Sequence, residues 1–247
     1  MSFRTRPGPR FEQEVPIDPP LVPSPYDDEF ESDILDPSWS RIGSFDDVTP
    51  ISPAASFTGT GARWSLNGLP APNARPSWYM IQADPATNCT LRKPIAYPSE
   101  YFIWTRMSFR YLNAGQTNND SNIRMGIVEP ASFHYVDIAL NESDGNTVQV
   151  EFSYNQGTPT TVAINNNVGG AGLTKGQVIH AVGIQCLSGT YHGWAMNAAG
   201  NWQWIGSQVY AGNTLTHVDL RHQTVTASDN AIGGFDFLRF KAGRHLP

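Results

Sequence analysis

The chain has 247 residues, 40% of them hydrophobic and 15% charged, with 22 Gly, 19 Pro, 2 Cys and a formal net charge of −6. That length can bury a substantial core, whereas the Gly and Pro content argues against a helix bundle or coiled coil and no run of about 18 apolar residues exists to cross a membrane as a helix. The negative excess sits in residues 1–36, while residues 37–247 are balanced with 13 bases and 13 acids, and a neutral body without a basic stripe argues against nucleic-acid binding.

Residues 1–25 carry prolines at 7, 9, 16, 19, 20, 23 and 25. Proline fixes φ and has no N–H, so this stretch is neither helix interior nor central strand and is expected to lie extended. Phe11, Val15, Ile17, Leu21 and Val22 are apolar side chains that a purely solvating linker would not need. They are the expected anchors of an arm that docks on a neighbouring subunit. The division expected is an arm over 1–26 and one folded domain over 27–247. The start also lacks the apolar core of a signal peptide, so synthesis in the cytoplasm is expected.

Residues 49–98 are interrupted by eight prolines, which leave short strand-like pieces at 62–66, 77–82 and 88–92. The clearest strand is 101–111, where Tyr101, Ile103, Met107, Phe109 and Tyr111 share one face and Phe102 and Trp104 begin the other. This period of two marks a half-buried strand. Residues 148–154 alternate in the same way, and further strands are expected at 122–128, 135–140, 177–186, 191–197, 202–209, 217–221 and 234–241. Asp144-Gly145 and the run from Asn197 to Asn201 read as hairpin turns. Short strands at this spacing predict an all-β antiparallel sandwich or barrel.

Two ends of this region carry a resemblance. The first reads Asp28-Glu29-Phe30, then Leu35-Asp36-Pro37-Ser38-Trp39, and the last reads Phe235-Asp236-Phe237-Leu238-Arg239-Phe240. Together they resemble the concanavalin A-like lectin/glucanase jelly roll, over roughly residues 27–247. The resemblance implies two facing antiparallel sheets with the first and last strands adjacent. It also implies that Phe30, Trp39, Phe235, Phe237 and Phe240 are core and that Asp236 and Arg239 tie strand ends. A jelly roll with a Pro-rich leader further resembles bacteriophage virion proteins that decorate capsids or attach to tails. The partners this implies are other virion proteins and further copies of the chain, with no membrane insertion.

The glucanase branch of that family places acids on one strand as E-x-D-x-E or E-x-D-x-x-E, and this sequence has no such motif. Asp137 and Glu142 have opposite strand parity, and Glu151 stands alone, so hydrolysis would need a distant pair such as Glu129 and Asp137. The six histidines form no zinc spacing. The oxygen-rich run 141–146 lacks the EF-hand pattern. Cys89 and Cys186 read as buried small hydrophobes. No cofactor, no metal and no catalytic residue are therefore expected. Trp202 and Trp204 share one face of a strand, with Tyr191 and Trp194 across the hairpin. These four rings are the expected platform for a host-surface glycan, because flat rings stack on sugar faces. The expectation overall is a non-catalytic virion protein, with a glycan-binding adhesin as the alternative and a glycoside hydrolase as the third reading.

Overall fold

A computed structural model describes residues 24–30, 36–43, 79–81, 88–111, 122–143, 147–156, 158–165, 173–174, 181–196, 200–210, 215–223 and 231–247. All regular structure among them is strand: β1 (Ser40–Gly43), β2 (Tyr79–Ile81), β3 (Asn88–Pro94), β4 (Glu100–Tyr111), β5 (Asn122–Glu129), β6 (His134–Ser143) and β7 (Thr147–Asn155). Then follow β8 (Pro159–Asn165), β9 (Leu173–Thr174), β10 (Ala181–Leu187), β11 (Thr190–Met196), β12 (Trp202–Val209), β13 (His217–Gln223) and β14 (Ala231–Ala242). The arm anchors Phe11, Val15, Ile17, Leu21 and Val22, the piece at 62–66 and residues 177–180 lie outside the described residues.

The strands form two antiparallel sheets. One has eight strands, ordered β1-β3-β13-β5-β6-β7-β8 with β9 also paired to β7, and the other has six, ordered β12-β11-β10-β4-β14-β2. Both predicted hairpins are present as pairings, with Ser143 opposite Thr147 and Met196 opposite Trp202. Alternation aims one row of each strand between the sheets. Leu91, Ile123, Met125, Ile138, Phe152 and Leu220 come from the first sheet, and Tyr101, Ile103, Met107, Ile184, Phe235 and Leu238 from the second; all are at most 1% exposed. Fully burying each such side chain stabilises the fold by about 1.5–3 kcal/mol. Cys89 and Cys186 are buried and unlinked, as expected.

Gly193 shows how closely the sheets approach. A Cβ there would fall 2.6 Å from the Phe152 ring, so the absence of a side chain makes room for the ring.

The acidic segment at the start of the sandwich is a lock. The Asp28 N–H and C=O pair with the C=O and N–H of Leu238 in β14 at 2.8 and 2.7 Å. Asp27 Oδ1 accepts the Phe240 N–H at 2.7 Å, and Glu29 grips the Arg239 guanidinium through two bonds of 2.7 and 3.0 Å. Asp28 Oδ2 accepts the Trp39 indole N–H at 2.6 Å. The Tyr26 ring meets Phe240 edge-on at 5.3 Å, so the chain is already joined to the sandwich before residue 27.

Phe30, Trp39, Phe235 and Phe240 lie in the main core as expected, but Phe237 does not. A register shift between Phe235 and Leu238 turns it outward, where it is buried beneath the guanidiniums of Arg239 at 4.2 Å and Arg106 at 5.9 Å.

Candidate functional site

On the face of the eight-stranded sheet turned away from the core, pairing assembles polar residues into rows. One row runs Arg92, Asp219, Gly126, Asp137, Ser153, Thr161, each directly opposite the next. The adjacent row runs Thr90, Arg221, Arg124, Ala139, Glu151. Each residue stands on a strand whose other face supplies the core, which fixes its direction.

The carboxylates of these rows are all engaged. Arg92 donates from Nε and Nη2 to the two oxygens of Asp219, at 2.7 Å each. Asp137, 3% exposed, accepts from Arg124 Nη1 at 3.1 Å and from the Ser153 hydroxyl. Glu151 accepts from Asn141 Nδ2 at 2.8 Å and from Thr161 Oγ1 at 2.9 Å. Arg124 Nε is held by Asn122 Oδ1 at 2.7 Å. Burial opposes the charge of Arg124, but Asp137 beside it outweighs that and raises its pKa.

Arg221 differs from these. Its side chain is 28% exposed, and its nearest carboxylate oxygen, Asp137 Oδ2, is 3.7 Å away. It stands over the Tyr135 ring at 6.0 Å. Burial and the neighbouring Arg124 charge lower its pKa. Burial and the Asp137 charge raise that of Tyr135, so its phenol stays a hydrogen-bond donor.

These groups border a cleft lined by Arg124, Gly126, Val128, Tyr135, Asp137, Asp219 and Arg221, with a cavity of about 20 Å³. That holds one water-sized group, not a sugar ring. Gly126 forms its floor: a Cβ there would lie 3.2 Å from that of Asp137. The distant pair Glu129 and Asp137 is not brought together. Gly126, not Glu129, opposes Asp137. Glu129 stands at the end of β5, where its carboxylate accepts the N–H groups of Ala131 and Ser132 at 3.2 and 3.0 Å. Among the described residues no three His, Cys, Asp or Glu side chains are grouped to hold a metal.

The expected aromatic platform is divided. Trp194 is opposite Trp204, and Trp202 is opposite Met196, so the three tryptophans share the outer face of the six-stranded sheet. Tyr191 has the other parity and lies in the inter-sheet core, edge-on to Tyr210 at 6.0 Å. Trp194 is buried with Phe102 and Leu246, and Trp104 and Trp202 pack against them. Phe102 stacks on Trp104 at 5.0 Å and meets Trp202 edge-on at 5.2 Å. The C-terminal residues close over this cluster: Gln185 Oε1 accepts the N–H groups of His245 and Leu246 at 2.9 and 2.7 Å, and its Nε2 donates to the Leu246 carbonyl at 3.1 Å. Trp204, 55% exposed, is the open ring of the three.

Asp137 stands out as a candidate in the sequence, whereas Arg124, Tyr135 and Arg221 do not. The signal for the two arginines is the alternation Asn122-x-Arg124-x-Gly126 and Asp219-x-Arg221, which puts them on outward faces. What brings them together is the placement of β13 beside β5, a pairing between distant segments.

No protein-family model matches the chain, and no curated protein matches its sequence. Solved structures do share its fold. The GH43 BlXynB protein from Bacillus licheniformis superposes with a TM-score of 0.55 at 11% identity, over 88% of this chain and 39% of that one. A Lotus tetragonolobus seed lectin gives 0.55 at 8%, over 87% and 96%. The exoplasmic/lumenal domain of VIP36, in a Ca2+- and mannose-bound form, gives 0.56 at 9%, over 85% of each chain. The chain thus spans about two fifths of the GH43 protein and most of the seed lectin and of the VIP36 domain. The fold is that of the concanavalin A-like β-sandwiches, and at such identities the likeness is one of fold.

Proposed function

We propose that this chain is a non-catalytic, glycan-binding β-sandwich carried on a bacteriophage particle by its N-terminal arm. The observation that carries the binding role is the outer face of the eight-stranded sheet. It presents guanidinium and phenol donors around a small cleft, while each carboxylate oxygen of the two rows already has a protein donor. Such a face can grip hydroxyl and ring oxygens. Among the described residues of the two rows no carboxyl group is free to act as acid or nucleophile. The lectin neighbours support the same reading at the level of architecture.

The attachment role draws support from the lock at residues 27–29. It gives the arm a fixed root on β14, so that arm burial would set affinity for the particle and the sandwich would project outward. Other virion proteins and further copies of this chain are the partners proposed.

One experiment tests both halves. The full chain and a chain starting at Pro23 are compared for co-sedimentation with particles and for binding to a glycan array. The proposal expects the shortened chain to lose particle association and keep its glycans. Equal particle association by both chains removes the arm's role, and an array with no binding removes the glycan role. Trp204 favours a second contact surface because its ring is open. Trp204→Ala is expected to reduce array binding only if that ring, and not the cleft, meets the sugar.

A further inference from the structure

Arg221 and Arg124 are directly opposite each other on β13 and β5. Like charges in that position repel, and one carboxylate, Asp137, serves both. It gives its hydrogen bond to Arg124 and leaves Arg221 at 3.7 Å. The nearby Asp219 is taken by Arg92 through both oxygens. Arg221 is therefore a partly exposed guanidinium that borders a cavity and has little negative charge to itself. The cavity admits one small group, and Tyr135 stands at its wall as a further donor.

From this we infer that the glycan bound at the cleft is acidic, with an anionic substituent, a carboxylate or a sulfate ester, that meets Arg221 at the cleft mouth and seats one oxygen in the cavity. A planar guanidinium offers paired N–H donors that match two oxygens of such a group. An incoming anion would also relieve the repulsion between the two arginines. The acids that make the chain negative lie in residues 27–36, and Asp27, Asp28 and Glu29 among them are engaged with β14 and Trp39, away from the cleft. This inference rests on the glycan-binding reading and narrows it to one substrate class.

The test uses the full chain and three matched sets of oligosaccharides: neutral, uronate-containing and sulfated. Binding is measured by calorimetry at two ionic strengths. The expected result is binding of a charged set at least tenfold tighter than its neutral counterpart, weakening as salt is raised. Comparison of the uronate and sulfate sets identifies the anion. Arg221→Gln is expected to lose about 10- to 100-fold in affinity for the charged set, the range for a hydrogen bond to an ionised group. Arg221→Lys is expected to retain part of it, and Gly126→Ala, which raises the floor without changing charge, to weaken it. The folded state of each variant is confirmed by circular dichroism. If neutral sugars bind as well as charged ones, or Arg221→Gln binds like the parent, the acidic-ligand inference is overturned and the glycan reading survives. If none of the three sets binds, both fall.

Discussion

Asp137 is buried and stands between two guanidiniums, so its charge is the balance point of the outer face. Removing that charge leaves Arg124 and Arg221 facing each other. Asp137→Asn is expected to destabilise the fold by about 2–3 kcal/mol, because a hydrogen-bonded charge pair is broken and one cation is left partly buried. Adding Arg221→Gln is expected to restore part of the loss, which a urea double-mutant cycle measures as coupling. Histidines make a separate contribution. Burial lowers the pKa of His192, His217 and His245 below the usual imidazole range. The unfolded chain therefore binds more protons than the folded one as pH falls through about 6.5, and stability drops in that direction. Asp36, held low by Ser38, stays ionised in that window and adds nothing to the change. The melting temperature is expected to fall between pH 7.5 and 5.5, and less so in His217→Gln.

Strands were readable wherever one face is buried and the other is not. The segment that became β4 shows it, with Tyr101, Ile103 and Met107 inward and Phe102 and Trp104 outward. Strands β1, β8 and β9 were missed. They are short or lie at the sheet's margin, where little burial imposes alternation. Parity also failed at irregularities. The register shift in β14 sends Phe237 outward, and local sequence carries no mark of it. The order β3-β13-β5 joins segments about 90 or more residues apart, so the cleft's composition was visible strand by strand while its assembly was not. Two elements can be tested directly. Gly193→Ala would drive a methyl into the Phe152 ring and is expected to cost about 1–3 kcal/mol; Phe152→Leu in the same chain should recover some of it relative to Phe152→Leu alone. Gln185→Ala removes three hydrogen bonds to the C-terminal residues. It is expected to expose the Phe102–Trp202 cluster, read as a red shift in tryptophan emission and as faster carboxypeptidase trimming.

At the scale of the whole molecule, the acidic segment is structural and its sequence is spent on the fold. Asp27, Asp28 and Glu29 each hold a different part of β14 or Trp39. A chain beginning at Pro23 keeps all of these contacts and is expected to melt with the full chain. A chain beginning at Glu31 loses them together with the burial of Phe30, and is expected to be at least about 3 kcal/mol less stable in urea.

The same lock decides how the molecule would bear force. Tension applied through the N-terminal segment reaches the sandwich at Leu238, Arg239 and Phe240. From there it passes to β4, the long partner of β14 in the interior of its sheet. The load is thus delivered to a central strand held on both sides, and not to a margin that could peel. The same segment also touches the other sheet, where the Tyr26 carbonyl accepts from Lys93 Nζ at 3.4 Å and the Tyr26 hydroxyl from the Ala96 N–H at 3.3 Å, so a pull on the tether would be felt at β3, the strand that carries Arg92.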